Sequence, residues 1–141
     1  MSDLKSLYRD TVRRHANDPA GYRREIDATH HSEKLNAQCG DRVEIYLRVE
    51  QGRVADIAFD GEACALCMAS ASLMCGMLPG SPVDRLETLC SDLGQALNSV
   101  EEPDPSNPLA PLFGVRPYPS RRQCVLLPWQ TALDAVRQPA R

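Results

Sequence analysis

The sequence predicts an α+β fold, in which helices cover one face of a small antiparallel three-stranded sheet. Apolar and polar residues alternate along residues 43–59, and this period of two is typical of strands with one wet face. Apolar residues recur at a spacing of three and four on both sides of this stretch, which indicates amphipathic helices. The 141 residues have the length of about one domain, so we expect residues 1–141 to form a single one.

The first third of the chain predicts one helix followed by strands. Its first apolar face consists of Leu4, Leu7, Tyr8 and Val12. Asn17-Asp18-Pro19 ends this helix, and residues 22–35, which have no helical stripe, are predicted as one irregular strand. Residues 43–49 and 54–59 then alternate around Gln51-Gly52, a pattern that predicts a β-hairpin.

Helices dominate the second half of the predicted fold. Residues 64–78 carry almost no polar surface, so we expect a helix that is covered on most sides. Residues 83–100 keep the spacing of a second amphipathic helix. Residues 101–108 hold three prolines and three acidic residues and are expected to form an exposed connection, before one short helix over 109–115.

A last helix is predicted after Pro119, with Ser120 as its N-cap. Pro128 lies inside this segment, four residues after Cys124. Because proline has no backbone N–H, the Cys124 carbonyl would lack its usual helical partner. We therefore predict a kink or a late start of the helix at this point.

Composition and charge exclude several classes of protein. With 43% hydrophobic and 25% charged residues the chain has a globular composition, so disorder is not expected. A net charge of −3 gives no basic surface for nucleic acid or for an anionic membrane. Serines, glycines and prolines interrupt the uncharged run 63–83, so we expect no membrane span. The amino-terminal residues lack the pattern of a secretory signal, and we expect a cytoplasmic protein with reduced thiols.

Three of the six cysteines lie at boundaries between predicted elements. Cys39 ends a loop and is followed by the flexible Gly40 and the carboxylate of Asp41. Cys64 starts the buried helix and Cys124 falls in the first turn of the last one, where free backbone N–H groups favour a thiolate. We therefore expect lowered thiol pKa values at both helix starts, and three thiols that could converge on one metal ion or cluster.

The other cysteines have simpler interpretations. Cys67 and Cys64 form a CxxC pair, which leaves a thiol–disulfide redox protein as one alternative and a spare thiol beside the metal as another. Cys75 and Cys90 fall on apolar helix faces and are expected to be small buried hydrophobic residues.

Three segments carry a resemblance to a known family: QCGDR at 38–42, GEACALCMASASLM at 61–74 and SRRQC at 120–124. Together with SLYRDTVRRHANDP near the start, they resemble the IscU/SufU/NifU-type iron–sulfur cluster assembly scaffolds, over nearly the whole chain. The resemblance implies a SufE/IscU-like sandwich and one NifU N-terminal domain over 1–141. It also implies that the metal ligands are Cys39, Asp41, Cys64 and Cys124.

The implied function is to receive persulfide sulfur from a SufS/IscS-like cysteine desulfurase, with Cys39 as the candidate acceptor. The implied cofactor is Zn²⁺, iron or a [2Fe–2S] cluster, and the implied further partners are iron–sulfur acceptor proteins. Gln123 stands where the IscU branch has a histidine, so the chain is closer to the SufU branch. A zinc-dependent sulfurtransferase of SufU type that builds no cluster is therefore the first alternative, and any enzymatic role is at most sulfur transfer with the desulfurase.

Overall fold

The computed structural model describes residues 2–140, and Met1 and Arg141 of the predicted domain 1–141 lie outside the described residues. The side chains of residues 2–5 and of Leu7 also lie outside them, and these include the predicted apolar positions Leu4 and Leu7. In chain order the elements are α1 (Ser2–Asn17), β1 (His30–Asn36), β2 (Asp41–Glu50), β3 (Arg53–Glu62), α2 (Ala65–Met77), α3 (Arg85–Leu97), a 3₁₀ helix (Ala110–Val115) and α4 (Pro119–Arg137).

The three strands form one antiparallel sheet in the order β1-β2-β3. Gln51 and Gly52 connect β2 to β3 with φ angles of 52° and 74°, as a tight hairpin turn requires. Side chains along β2 alternate between buried and half-buried, so the period of two in the sequence marks the two faces of the sheet. The predicted α+β class and the predicted hairpin are confirmed.

The predicted strand over 22–35 is wrong in its extent. In this part of the chain, only His30–Asn36 pairs with β2. Tyr22 instead forms an isolated bridge with Phe59 on β3, at the opposite edge of the sheet. Gly21 and Arg23 have φ angles of 78° and 57°, which break the extended conformation. The chain therefore passes from one edge of the sheet to the other before β1 begins.

The core lies between the sheet and the helices. Helix α4 packs against β1 and β2, while α2 packs against both α1 and α4. The largest fully buried side chains are Trp129, Phe59, Ile45, Leu47, Ile57, Met74, Leu78, Leu86, Leu97 and Leu112. Eight residues of α2 are buried, so this helix is covered on most sides, as predicted.

Two helix starts differ from the prediction. Helix α3 begins at Arg85 rather than at residue 83. Helix α4 begins at Pro119, with Tyr118 at the N-cap and no side-chain capping bond, so Ser120 is not its cap. Proline suits the first helical position because its missing N–H has no partner there in any case.

The predicted late start of the helix at Pro128 is wrong, since α4 runs through this buried residue without interruption.

Residues 101–108 are mostly exposed and connect α3 to the 3₁₀ helix, which occupies the place of the predicted short helix. Within residues 2–140, no helix combines the length and the apolar character that crossing a bilayer requires.

Candidate metal centre

The connection between β1 and β2 presents Cys39 to solvent. The backbone N–H of Cys39 donates to the carbonyl of Asn36 at 3.2 Å, which closes a tight turn. Gly40 follows with a φ of 71°, a left-handed conformation that glycine adopts without strain. The exposed thiol of Cys39 thus stands two residues before Asp41, which is buried with 2% of its surface accessible.

Asp41 binds the start of α2. Its Oδ1 accepts the backbone N–H of Cys64 at 2.8 Å, and its Oδ2 lies 3.9 Å from the Cys64 sulfur. Cys64 is the N-cap of α2 and makes no side-chain capping bond of its own, so the carboxylate of Asp41 supplies a partner at the positive end of the helix. Arg42 pairs with Glu33 and Glu44 rather than with its neighbour Asp41.

Helix α4 brings the third thiol to the same place. The sulfur of Cys124, a residue with 3% exposure, lies 3.6 Å from the sulfur of Cys39, although 85 positions separate the two in sequence. Ligand atoms of Cys39, Asp41 and Cys124 all lie within 4.8 Å of one another. The structure thus brings three of the four predicted residues together, while Cys64 contacts Asp41 at the edge of this group without belonging to it.

Two pairs of these donors have the separation expected around a tetrahedral ion. A zinc ion with Zn–S bonds of about 2.3 Å and a Zn–O bond of about 2.0 Å places its donors about 3.5 to 3.8 Å apart. The sulfurs of Cys39 and Cys124 are separated by 3.6 Å, and the Cys64 sulfur and Asp41 oxygen by 3.9 Å. Asp41 and Cys124 are buried, whereas Cys39 and Cys64 are exposed, so one side of the cluster faces solvent. This openness suits exchange of the bound species better than a permanent structural role.

The expected low pKa of Cys124 is wrong for the metal-free protein. Burial raises the pKa of the Cys124 thiol, and its hydrogen bonds with Cys39 and Cys64 raise it further. Since α4 begins at Pro119, Cys124 is its sixth residue and lies beyond the turn whose backbone N–H groups are free. The neutral thiol is therefore favoured until a cation is present.

Cys67 and Cys75 are buried core residues, as predicted for Cys75, whereas Cys90 is only partly buried against the core. Cys67 is fully buried, and burial raises the pKa of its thiol, which disfavours the nucleophilic form that a CxxC redox protein needs. Burial likewise raises the pKa of Cys75 and of Cys90 to about 12 in each case. Cys90 donates its thiol to the carbonyl of Trp129 at 3.2 Å.

Two serines on α2 make buried contacts that were not predicted. Ser70 and Ser72 are both fully buried, with hydrogen bonds to α4 and to residues of the α1 region respectively. Their signal in the sequence is the presence of hydroxyl groups in a helix that is otherwise apolar.

Comparison with known proteins agrees with this geometry. The model of the family described as "NifU-like N terminal domain" matches residues 7–112, which include Cys39, Asp41 and Cys64 but end before Cys124. A protein of Thermotoga maritima named "Iron-sulfur cluster assembly scaffold protein IscU" is 30% identical over 140 residues, covering 98% of both chains. The "Zinc-dependent sulfurtransferase SufU" of Bacillus subtilis is 27% identical over 96% of this chain and 92% of its own.

A solved structure shares the architecture as well. The N-terminal part of a NifU-like protein from Brucella abortus superposes with a TM-score of 0.82 and 25% identity, covering 93% of this chain and 92% of that one. The predicted family resemblance is thereby confirmed, and the chain belongs to the NifU-like N-terminal domain family, together with IscU and SufU proteins.

Proposed function

We propose that this protein is an iron–sulfur cluster assembly scaffold that accepts persulfide sulfur from a cysteine desulfurase. Its ligands for a metal ion or a nascent cluster would be Cys39, Asp41, Cys64 and Cys124. The observation that carries the proposal is the convergence of the Cys39 and Cys124 thiols with the Asp41 carboxylate, with Cys64 beside Asp41 and 3.6 Å between the sulfurs of Cys39 and Cys124. Residues 1–141 would act as one domain.

The chemistry of the donors supports both kinds of cargo. Thiolates are soft ligands that suit zinc and iron–sulfur clusters, and a carboxylate oxygen is the weaker, more readily exchanged ligand among them. Zinc bound at these residues would keep their thiols deprotonated. The iron and sulfide of a [2Fe–2S] cluster would be the material that the scaffold assembles and passes to acceptor proteins.

Cys39 is the proposed sulfur acceptor because it is exposed and lies in a turn beside Gly40. Its thiolate would attack the outer sulfur of the desulfurase persulfide, forming a new S–S bond on Cys39. The S–S bond of the desulfurase breaks in the same step, and its cysteine leaves as a thiolate, so no external oxidant or reductant is needed. Cys64 is also exposed, but Asp41 holds its backbone at the start of α2.

The proposed docking surface for the desulfurase lies beside the cluster. A groove of about 610 Å³ is lined by arginine and aromatic side chains, and the described residues of its lining include no carboxylate. Tyr118 is 49% exposed there, and the Arg121 guanidinium lies 4.7 Å from the centre of its ring. Both residues precede Cys124 by less than two helical turns, so a partner bound in this groove would reach the thiols.

All six cysteines are free, which supports the proposed location in the reducing cytoplasm.

A second candidate function is zinc-dependent sulfur transfer without cluster assembly. The exposed Gln123 before the last cysteine favours it, because glutamine supplies no strong ligand to iron at this position. The 27% identity to the zinc-dependent sulfurtransferase of Bacillus subtilis supports the same alternative.

One pair of assays tests the proposal and separates the alternatives. The full chain is mixed with a cysteine desulfurase and cysteine, once with ferrous iron and once with zinc alone. A scaffold develops the visible absorbance of an iron–sulfur cluster in the first mixture, whereas a sulfurtransferase only accelerates the desulfurase, in the second. Absence of both effects would contradict the proposed function in either form.

A further inference from the structure

One buried hydroxyl connects α2, which begins after Cys64, to α4, which contains Cys124. Ser70 on α2 donates its Oγ–H to the carbonyl of Val125 on α4 at 2.6 Å, and its Oγ accepts the indole N–H of Trp129 at 3.2 Å. Both Ser70 and Trp129 have 0% exposure, so water does not compete for these bonds. Val125 directly follows Cys124, which places the hydrogen bond next to a proposed ligand.

This turn of α4 has an incomplete backbone ladder. Pro128 has no N–H to donate to the Cys124 carbonyl, and a proline ring crowds the preceding turn of a helix. Side chains bond the neighbouring carbonyls, since Val125 accepts from Ser70 and Leu127 accepts from the Thr131 hydroxyl at 2.7 Å. Of these two bonds, only the one from Ser70 comes from another helix, at a turn that has lost one backbone hydrogen bond.

We propose that Ser70 is a positioning residue of the metal centre, which holds the Cys124 turn of α4 at a set distance from α2. Helix α2 begins next to Cys64, so the Ser70 bond joins the helices of two ligands. Ligand atoms must be held within about 0.5 Å of their bound positions for tight coordination. The inference depends on the proposed function, because it assumes that these thiols bind a metal ion.

Ser72 provides a matched control on the same helix. It is equally buried, and its Oγ accepts the backbone N–H of Ala20 at 2.8 Å and lies 2.7 Å from Nδ1 of His15. Its partners belong to α1 and the segment after it, and neither belongs to α4. Replacing Ser72 with alanine thus removes a hydroxyl of the same burial and bonding without touching the Cys124 turn.

The test compares the wild-type chain with Ser70→Ala and Ser72→Ala, using Zn²⁺ affinity from competition with a chelator and the absorption spectrum of the Co²⁺-loaded protein. Both variants should melt at lower temperature than the wild type. We expect Ser70→Ala alone to bind Zn²⁺ at least about tenfold more weakly, as is typical when a residue that supports a ligand is lost. Its Co²⁺ spectrum should also shift, whereas that of Ser72→Ala should match the wild type.

Equal Zn²⁺ affinities and identical Co²⁺ spectra in the two variants would overturn the positioning role. If Ser70→Ala does not fold, Trp129→Phe replaces it, because this change removes the indole N–H that holds the Ser70 hydroxyl and keeps an aromatic ring in the core. It should weaken Zn²⁺ binding in the same direction but by less, and an unchanged affinity would overturn the inference. A wild-type chain that binds no Zn²⁺ would instead refute the metal centre, and the role of Ser70 with it.

Discussion

Replacing Cys39 with serine is expected to abolish sulfur acceptance and to weaken Zn²⁺ binding by more than about 100-fold, the upper limit for residues that only support a ligand. A serine hydroxyl is not ionised at neutral pH, so it neither attacks a persulfide nor replaces a thiolate ligand. Because the Cys39 side chain is exposed at a turn, its loss should leave the melting temperature of the metal-free protein almost unchanged.

The matched control for this experiment is Cys90→Ser. Cys90 lies on α3 outside the cluster, and a serine hydroxyl can still donate to the Trp129 carbonyl that the thiol contacts. Transfer is measured with a radiolabelled persulfide on the desulfurase, and Zn²⁺ affinity by competition with a chelator. Wild-type levels of transfer in Cys39→Ser would contradict the role assigned to this residue, whatever happens in the control.

Replacing Gly61 with alanine is expected to lower the free energy of unfolding by about 3 kcal/mol or more. Gly61 has a φ of 140°, and a Cβ atom added there would lie 2.0 Å from the carbonyl oxygen of Arg42 on the adjacent strand. Backbone atoms cannot move aside as a flexible side chain does, so β2 and β3 must separate locally. The displaced backbone would adjoin Asp41 on β2 and lie three residues before Cys64, so Zn²⁺ affinity should fall together with stability.

Gly76→Ala is the control, since this glycine lies in α2, is exposed and has no atom within 4 Å of an added Cβ. Alanine is the better helix former by about 1 kcal/mol, so this variant should be as stable as the wild type or slightly more so. Urea unfolding of the metal-free proteins gives both values. A Gly61→Ala variant as stable as Gly76→Ala would contradict the close approach of β2 to β3 at this residue.

Local sequence patterns predicted correctly the elements that are buried either on one face or on nearly all sides. The alternation along β2 is readable because one face of the strand packs on α4 and the other is half-buried. Helix α2 is readable because it is buried on nearly all sides. The segment around Tyr22 was predicted wrongly because its bridge to Phe59 joins distant parts of the chain, and no local period records such a contact.

The sequence predicts four ligands of the candidate centre, of which the structure groups Cys39, Asp41 and Cys124, but it does not predict their surroundings. The family motifs identify Cys39, Asp41, Cys64 and Cys124, yet neither spacing nor composition places sulfurs 85 positions apart at a distance of 3.6 Å. The cap that Asp41 supplies to α2 and the bond from Ser70 to α4 are tertiary contacts. The error in the pKa of Cys124 follows first from its burial, which the sequence pattern does not show, and also from placing the start of α4 two residues too late, which put the thiol nearer to free backbone N–H groups.

Zinc-edge X-ray absorption on the full chain loaded with one equivalent of Zn²⁺ tests the metal centre most directly. Coordination by the four residues predicts three sulfur neighbours at about 2.3 Å and one oxygen neighbour at about 2.0 Å, with one sulfur fewer in Cys124→Ser. A first shell made mainly of nitrogen and oxygen, or a spectrum that Cys124→Ser leaves unchanged, would show that zinc is not held where these residues meet.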